Sequence, residues 1–191
     1  MYHPTKVSSS TADDFSVSAT NEDGAREFTE WIPYVNQLVI PEVVDMRLGG
    51  KVDIVMGSVD KTWGAGLDKS TKLYGFGLKG SASTYPGPTI LAKKGVPIDV
   101  TWHNELPKTH ILEKYIAEEF LSGPATCYPD CGIPAIVHLH GMETAAASDG
   151  SPMNTFHQGE SKTDTFPNDQ PGSTLMYHDH AAGFTRLNVW A

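Results

Sequence analysis

Turn-forming residues divide this chain so often that long regular helices have little room. The sharpest stop is Tyr85-Pro86-Gly87-Pro88, where two prolines and a glycine fall within four residues. It is one of many, since the chain carries 18 glycines and 13 prolines. Between the stops lie short apolar runs with a loose two-residue alternation: Val52, Ile54 and Val59; Leu73, Tyr74 and Phe76; Ile98, Val100 and Trp102. Further short strands are predicted over 89–93, 136–140 and 175–180, around Thr163, Thr165 and Phe166, and from Leu187 to Ala191. Asn168-Asp169-Gln170-Pro171-Gly172 reads as a turn, and 105–133 as a long connection with one or two helical turns within 113–121. Short strands at this spacing predict an all-β sandwich or barrel.

The first 30 residues are rich in Ser, Thr and Asp and read as a polar arm. Trp31-Ile32-Pro33 and Leu38-Val39-Ile40-Pro41 then supply apolar anchors in an extended segment, because the prolines oppose a helix. This divides the chain into an extended N-terminal arm over 1–48 and a β domain over 49–191. A net charge of −9 disfavours nucleic acid as a partner. No apolar run is long enough to span a bilayer, and no apolar core of a secretory signal is visible at the N-terminus. Two cysteines, Cys127 and Cys131, fit either a small loop-closing disulfide or a pair of free thiols.

The chemistry is concentrated in the histidines. Four of the eight fall in two matching arrangements, His138-Leu139-His140 and His178-Asp179-His180. Residues i and i+2 of a strand share a face, so each pair projects two imidazoles together. Two such strands side by side surround one small space with four rings, while Asp179 points to the opposite face. Burying four imidazoles without partners costs several kcal/mol, roughly, and a metal satisfies them. Neutral imidazole suits copper, zinc, iron and nickel. A four-histidine zinc is one alternative. A cupin site is another, since Gly132, His138, His140, Glu143 and Gly150 nearly trace its first motif. The His140–Glu143 gap is too short for that motif, its later segment is missing, and the second His-x-His has no place in it. His103, His110 and His157 are read as surface or structural residues, and Arg186 and Asn188 as anchors for a following strand.

The words around these pairs resemble the N-terminal domain of multicopper oxidases. They run His138-Leu139-His140-Gly141, Ser148-Asp149-Gly150, Tyr177-His178-Asp179-His180 and Thr185-Arg186-Leu187-Asn188-Val189. Tyr85-Pro86-Gly87-Pro88-Thr89 and Trp102-His103-Asn104-Glu105-Leu106-Pro107 are similar to the family's early turn and the strand after it. The likeness runs from about Lys51 to Ala191 and is nearest to the spore-coat laccase, bilirubin oxidase and phenoxazinone synthase group. Met176 stands where those relatives carry Trp.

The resemblance implies a cupredoxin-like Greek-key β-barrel or sandwich, expected to lack its closing strands at the C-terminus. It implies copper as cofactor: His138 on a type 2 copper, His140 and His178 on one type 3 copper, and His180 on the other. Asp149 would assist proton delivery as dioxygen is reduced. The type 1 copper, with its cysteine, is not encoded here, because neither Cys127 nor Cys131 has the expected His-Cys-His surroundings. The implied partners are dioxygen, a small aromatic reductant, and the remaining oxidase domains or a second chain supplying the other ligands. The implied location is extracellular, spore-coat or periplasmic. The implied activity is laccase-like: oxidation of phenols, pigments or metal ions coupled to reduction of dioxygen to water. Carrying half the cluster ligands, this chain alone is expected to be inactive. The alternative is a copper-binding β domain without oxidase turnover.

Overall fold

A computed structural model describes residues 36–63, 70–117 and 127–191. The chain divides into two units, one of residues 1–40 and 60–71, the other of 41–59 and 72–191. Little of the first is described; within it the Trp63 indole N–H donates to Thr71 Oγ1 at 3.0 Å. The polar arm and part of 113–121 fall outside the described residues.

The larger unit is built of short strands. β1 (Val43–Asp45) pairs in parallel with β4 (Thr89–Leu91). β2 (Gly50–Lys61), β3 (Thr71–Leu78), β5 (Ile98–Asn104) and β7 (Ser161–Phe166) form a sheet in the order β3-β2-β5-β7. Within it β2 and β5 run parallel, β5 and β7 antiparallel. A third sheet pairs β6 (Val137–His140) with β8 (Met176–Asp179), antiparallel. The sheets are open, with no closed barrel among the described residues. No helix there is long and apolar enough to cross a membrane.

The two-residue alternation read from sequence is most regular in β5, where Ile98, Val100, Trp102 and Asn104 are buried and the residues between them half-buried. Trp102 belongs to a core that also holds Ile54, Ile133, Ile136, Val137 and Phe184, and its ring packs against Phe76 and Tyr177. Its indole N–H reaches the fully buried Asp164 Oδ2 at 3.0 Å. Lys162 pairs with the other Asp164 oxygen. Asn104, also fully buried, splices three segments: its amide donates to the carbonyls of Ile133 (2.8 Å) and Phe156 (3.1 Å), and its oxygen accepts the Leu106 N–H (3.1 Å).

One predicted element is wrong in type. The segment expected to begin a strand at Leu187 is instead a short helix, α1 (Thr185–Trp190). Val and Trp favour strands, but tertiary contacts override the preference here. Leu187, Asn188 and Ala191 are buried, a helical spacing. The Asn188 amide donates to the Pro134 carbonyl at 3.0 Å, and its oxygen lies 3.1 Å from His110 Nε2. Asn188 is an anchor, as expected, but of a helix. Among the described residues of 113–121, the expected helical turn is a 3-10 turn at Glu113–Tyr115.

Candidate metal centre

The β6–β8 register decides where the histidines go. His138 lies directly opposite His178, Leu139 opposite Tyr177, and Val137 opposite Asp179. Residues directly opposite in an antiparallel pair share a face. One face therefore carries Val137, Leu139, Tyr177 and Asp179, the other the histidines. The first packs inward: Val137 and Asp179 are buried, and Tyr177 lies 5.4 Å from the Trp102 ring. The second presents imidazoles that are half-buried to exposed.

The four rings cluster as the sequence predicts. The His138 ring centroid is 5.7 Å from His140, 5.5 Å from His178 and 5.2 Å from His180. His178 is 5.6 Å from His140 and 5.9 Å from His180. His140 Nδ1 and His178 Nε2 are 3.4 Å apart. A nitrogen from each of His138, His140 and His178 lies within 4.8 Å of the other two.

Hydrogen bonds fix how the rings are presented. His138 Nδ1 contacts the Asp149 carbonyl at 2.5 Å, and His178 Nδ1 the Asp179 carbonyl at 2.7 Å. A carbonyl only accepts, so each Nδ1 carries the proton and each Nε2 keeps its lone pair, the form that binds metal. Burial, and then the neighbouring imidazoles, push the His178 pKa below its ordinary value, while its bond to the Asp179 carbonyl opposes this. The net shift favours the neutral ring. His180 Nδ1 is buried with no hydrogen-bond partner among the described residues. Leaving such a nitrogen unmatched costs about 1–3 kcal/mol, so the group fits a metal it would serve as ligand.

The surroundings hold this face in place. The tight turn before β4 packs under β8: the Tyr177 hydroxyl donates to the Pro88 carbonyl at 2.6 Å, and a Cβ on Gly87 would sit 2.8 Å from that hydroxyl. Gly150 has φ +75°, and a Cβ there would collide with the Val137 carbonyl and stand 2.8 Å from His138 Cα. This lets the 146–150 loop lie against β6 and bring the Asp149 carbonyl to His138. The Asp149 carboxylate is farther off, 3.5 Å from His138 Nδ1 and half exposed. Asp179 faces inward, as its parity predicts, where its carboxylate accepts the N–H groups of Ile136 (3.1 Å) and Ala181 (3.0 Å). It thereby ties the entry of β6 to the exit of β8, a role the sequence signals only through its position between two outward histidines.

Two of the remaining described histidines, His103 and His110, are surface or structural residues, as expected. His103 pairs with Asp53 at the surface, and His110 is buried against Asn188 and Tyr74. His157 is close to Cys127, with Nε2 at 3.5 Å from the sulfur. Of the two cysteine alternatives, the structure has the disulfide. Two groups among the described residues have metal-ligand spacing: His138, His140 and His178, and Cys127, Cys131 and His157. The histidine group suits copper of the type 2 and type 3 kind; no type 1 site is evident among the described residues.

Residues 132–188 match the multicopper oxidase family model. The chain is 36% identical over 172 residues to multicopper oxidase LPR1 homolog 1 of Oryza sativa subsp. japonica, covering 83% of this chain and 29% of that one. It is 35% identical over 129 residues to a laccase of Bacillus subtilis (strain 168), covering 63% of this chain and 24% of the laccase. It thus spans less than a third of either relative. The crystal structure of a multi-copper oxidase from Pediococcus acidilactici superposes with a TM-score of 0.57 at 20% identity, over 81% of this chain and 27% of the other, a likeness of fold. The open β domain described above thus has a cupredoxin-like fold, and its sequence is similar to the multicopper oxidase family over 132–188 and to plant LPR oxidases and bacterial laccases.

Proposed function

We propose that this chain is a copper-binding domain that contributes His138, His140, His178 and His180, half the ligand set of a trinuclear copper cluster, and does not turn over as an oxidase by itself. The observation that carries the reading is the shared face of β6 and β8, with four imidazoles around the opposed pair His138 and His178. The 3.4 Å approach of His140 and His178 nitrogens favours one type 3 ion shared between them. His138, held by the Asp149 carbonyl, is left for the type 2 position, and His180 for the second type 3 ion. When bound, copper supplies one-electron chemistry that side chains lack. The chain's own part is to present neutral nitrogens, held by carbonyl acceptors, from a rigid two-stranded face.

Within a longer oxidase the same face would serve a laccase-like reaction, oxidising phenols, pigments or metal ions and reducing dioxygen to water. The relatives' names and the solvent-facing side of the four rings support this second reading. Asp149 is then positioned to pass protons toward the site through water, since its carboxylate is exposed beside His138. We read the chain as akin to the spore-coat laccase, bilirubin oxidase and phenoxazinone synthase group, and its location as extracellular, spore-coat or periplasmic.

Copper titration of the 191-residue chain, with an oxidation assay on a phenolic dye, tests the proposal. Bound copper that is lost in His138→Ala/His178→Ala, without turnover in either protein, is the expected result. Robust dye oxidation by the chain alone would overturn the inactive reading, and copper binding unaffected by the double substitution would overturn the site.

A further inference from the structure

The second cluster of ligand atoms uses none of the four histidines on the β6–β8 face. Cys127 Sγ, Cys131 Sγ and a His157 ring nitrogen all lie within 4.8 Å of one another. As the disulfide seen here, the sulfurs have no thiolate to offer. Yet it is the backbone that keeps His157 beside them. Ala135 and Phe156 exchange both main-chain hydrogen bonds, at 3.0 and 2.9 Å, and the Gln158 N–H donates to the Cys131 carbonyl at 3.2 Å. The cysteine turn is closed by the Cys131 N–H on the Cys127 carbonyl at 3.1 Å and the Gly132 N–H on the Pro129 carbonyl at 3.0 Å. Gly132, at φ +81°, leaves room for Gln158 to close in, since a Cβ would meet its side chain at 2.6 Å. None of these contacts needs the sulfur–sulfur bond.

The ring is also aimed. Glu160 accepts the His157 main-chain N–H at 2.7 Å, and the same carboxylate oxygen stands 3.7 Å from His157 Nδ1. The Nε2 edge of the ring faces Cys127 Sγ, 3.5 Å away, and the carboxylate on the opposite side is placed to favour the proton on Nδ1 once a metal takes Nε2. Two sulfurs and one imidazole nitrogen converge, and the nearby carboxylate lies behind the ring. Two thiolates with one imidazole form a soft, three-ligand set, which selects copper(I) over harder ions. Four-coordinate zinc would need a further ligand that this arrangement does not supply.

We propose that reduction of the Cys127–Cys131 disulfide opens a copper(I) site made of Cys127, Cys131 and His157, separate from the four-histidine face. A dithiol reductant supplies two electrons and two protons: its own thiols join as a disulfide, the Cys127–Cys131 bond breaks, and each freed sulfur takes a proton. Copper(I) then displaces both protons to solvent and is held by two thiolates and His157 Nε2. Reoxidation to the disulfide, with an electron acceptor such as dioxygen or a disulfide, removes two of the three ligands and releases the ion. The site is thus open only in the dithiol state.

The test compares the whole chain oxidised and after anaerobic reduction by a phosphine. The phosphine becomes its oxide with oxygen from water as the disulfide becomes two thiols, and is then removed. Both forms are titrated with copper(I) against a chromophoric copper(I) chelator. The reduced chain is expected to take up one more copper(I) than the oxidised chain, with a near-ultraviolet thiolate-to-copper band. Cys127→Ser/Cys131→Ser is expected to match the oxidised chain under both conditions. His157→Gln is expected to weaken the additional ion by at least about tenfold. X-ray absorption on the reduced wild type, which does not depend on that variant folding, is expected to show sulfur and nitrogen together on the additional ion. Repeating the titration in His138→Ala/His178→Ala isolates this ion from any copper on the histidine face, so failure of one site is told apart from failure of the other. Equal uptake by both redox forms, unchanged affinity in folded His157→Gln, or a sulfur-only shell would overturn the proposal.

Discussion

Asp179 and His110 are two buried titratable groups that meet at Asn188 and respond to acid in opposite senses. Burial raises the Asp179 carboxyl from 3.8 to about 6, against the hydrogen bonds that favour its ionised form. A raised folded-state pKa means its contribution to stability is full below about pH 4, declines as pH rises to 6, and is flat beyond. His110 is lowered from 6.5, first by burial, while its bond to Asn188 opposes the shift. Its Nδ1 accepts the Leu112 N–H, which requires the neutral ring. Its contribution is present above pH 6.5 and is lost as pH falls through the lower folded-state value. Asp179→Asn is expected to remove the decline between about pH 4 and 6, leaving the His110 acid loss exposed. It should also cost about 1–3 kcal/mol, because an amide cannot accept both the Ile136 and Ala181 N–H groups. Urea unfolding of the metal-free chain across that range measures both effects. Beside the histidines, the decisive contact is a carbonyl. Asp149→Ala is expected to leave copper affinity within about threefold. Gly150→Ala, which needs positive φ and collides with β6, is expected to destabilise the fold by at least about 1–3 kcal/mol. Copper titration and thermal unfolding of the two variants, side by side, separate main-chain support from side-chain support.

Among elements, the β5–β7 pair holds the loop that serves the metal face. Lys162 pairs with the buried Asp164 and also donates to the Ala147 carbonyl at 3.0 Å, just ahead of Asp149. Lys162→Met strands a buried carboxylate, and the expected loss is about 3–5 kcal/mol. Asp164→Asn in the same chain is expected to restore part of it, since the uncompensated charge is then gone; a double-mutant cycle by urea unfolding gives the coupling. The elements differed in how plainly the sequence showed them. β5 was legible because its apolar residues alternate without interruption. The histidine face was legible for a related reason, as i and i+2 must share a side whatever the rest of the fold does. α1 was not, because Leu187, Val189 and Trp190 look like strand residues, no side chain caps the helix, and its stability comes from Asn188 reaching Pro134 and His110, far away in sequence. The parallel β1–β4 pairing was equally hidden, because strands of three residues carry too little pattern to specify a partner. The disulfide stayed open at the sequence level because the spacing suits thiols as well, and only the fold of the turn brings the sulfurs together.

For the whole molecule, metal binding and folding are linked. An ion that binds the folded face and not the unfolded chain adds about 2.7 kcal/mol when its free concentration is a hundredfold above Kd. Copper is therefore expected to raise the melting temperature of the wild-type chain, a chelator to reverse the rise, and His138→Ala/His178→Ala to show none, all by calorimetry on the oxidised protein. The same strands explain why such variants can be made. Along β8 successive side chains alternate between water and core: His178 looks out, while Tyr177 and Asp179 look in. Reactivity and architecture thus occupy opposite sides of one thin ribbon of backbone. The ligand side can be rewritten, ring by ring, with little disturbance to the packing behind it, so the domain could accept a different metal, or none, and keep its shape.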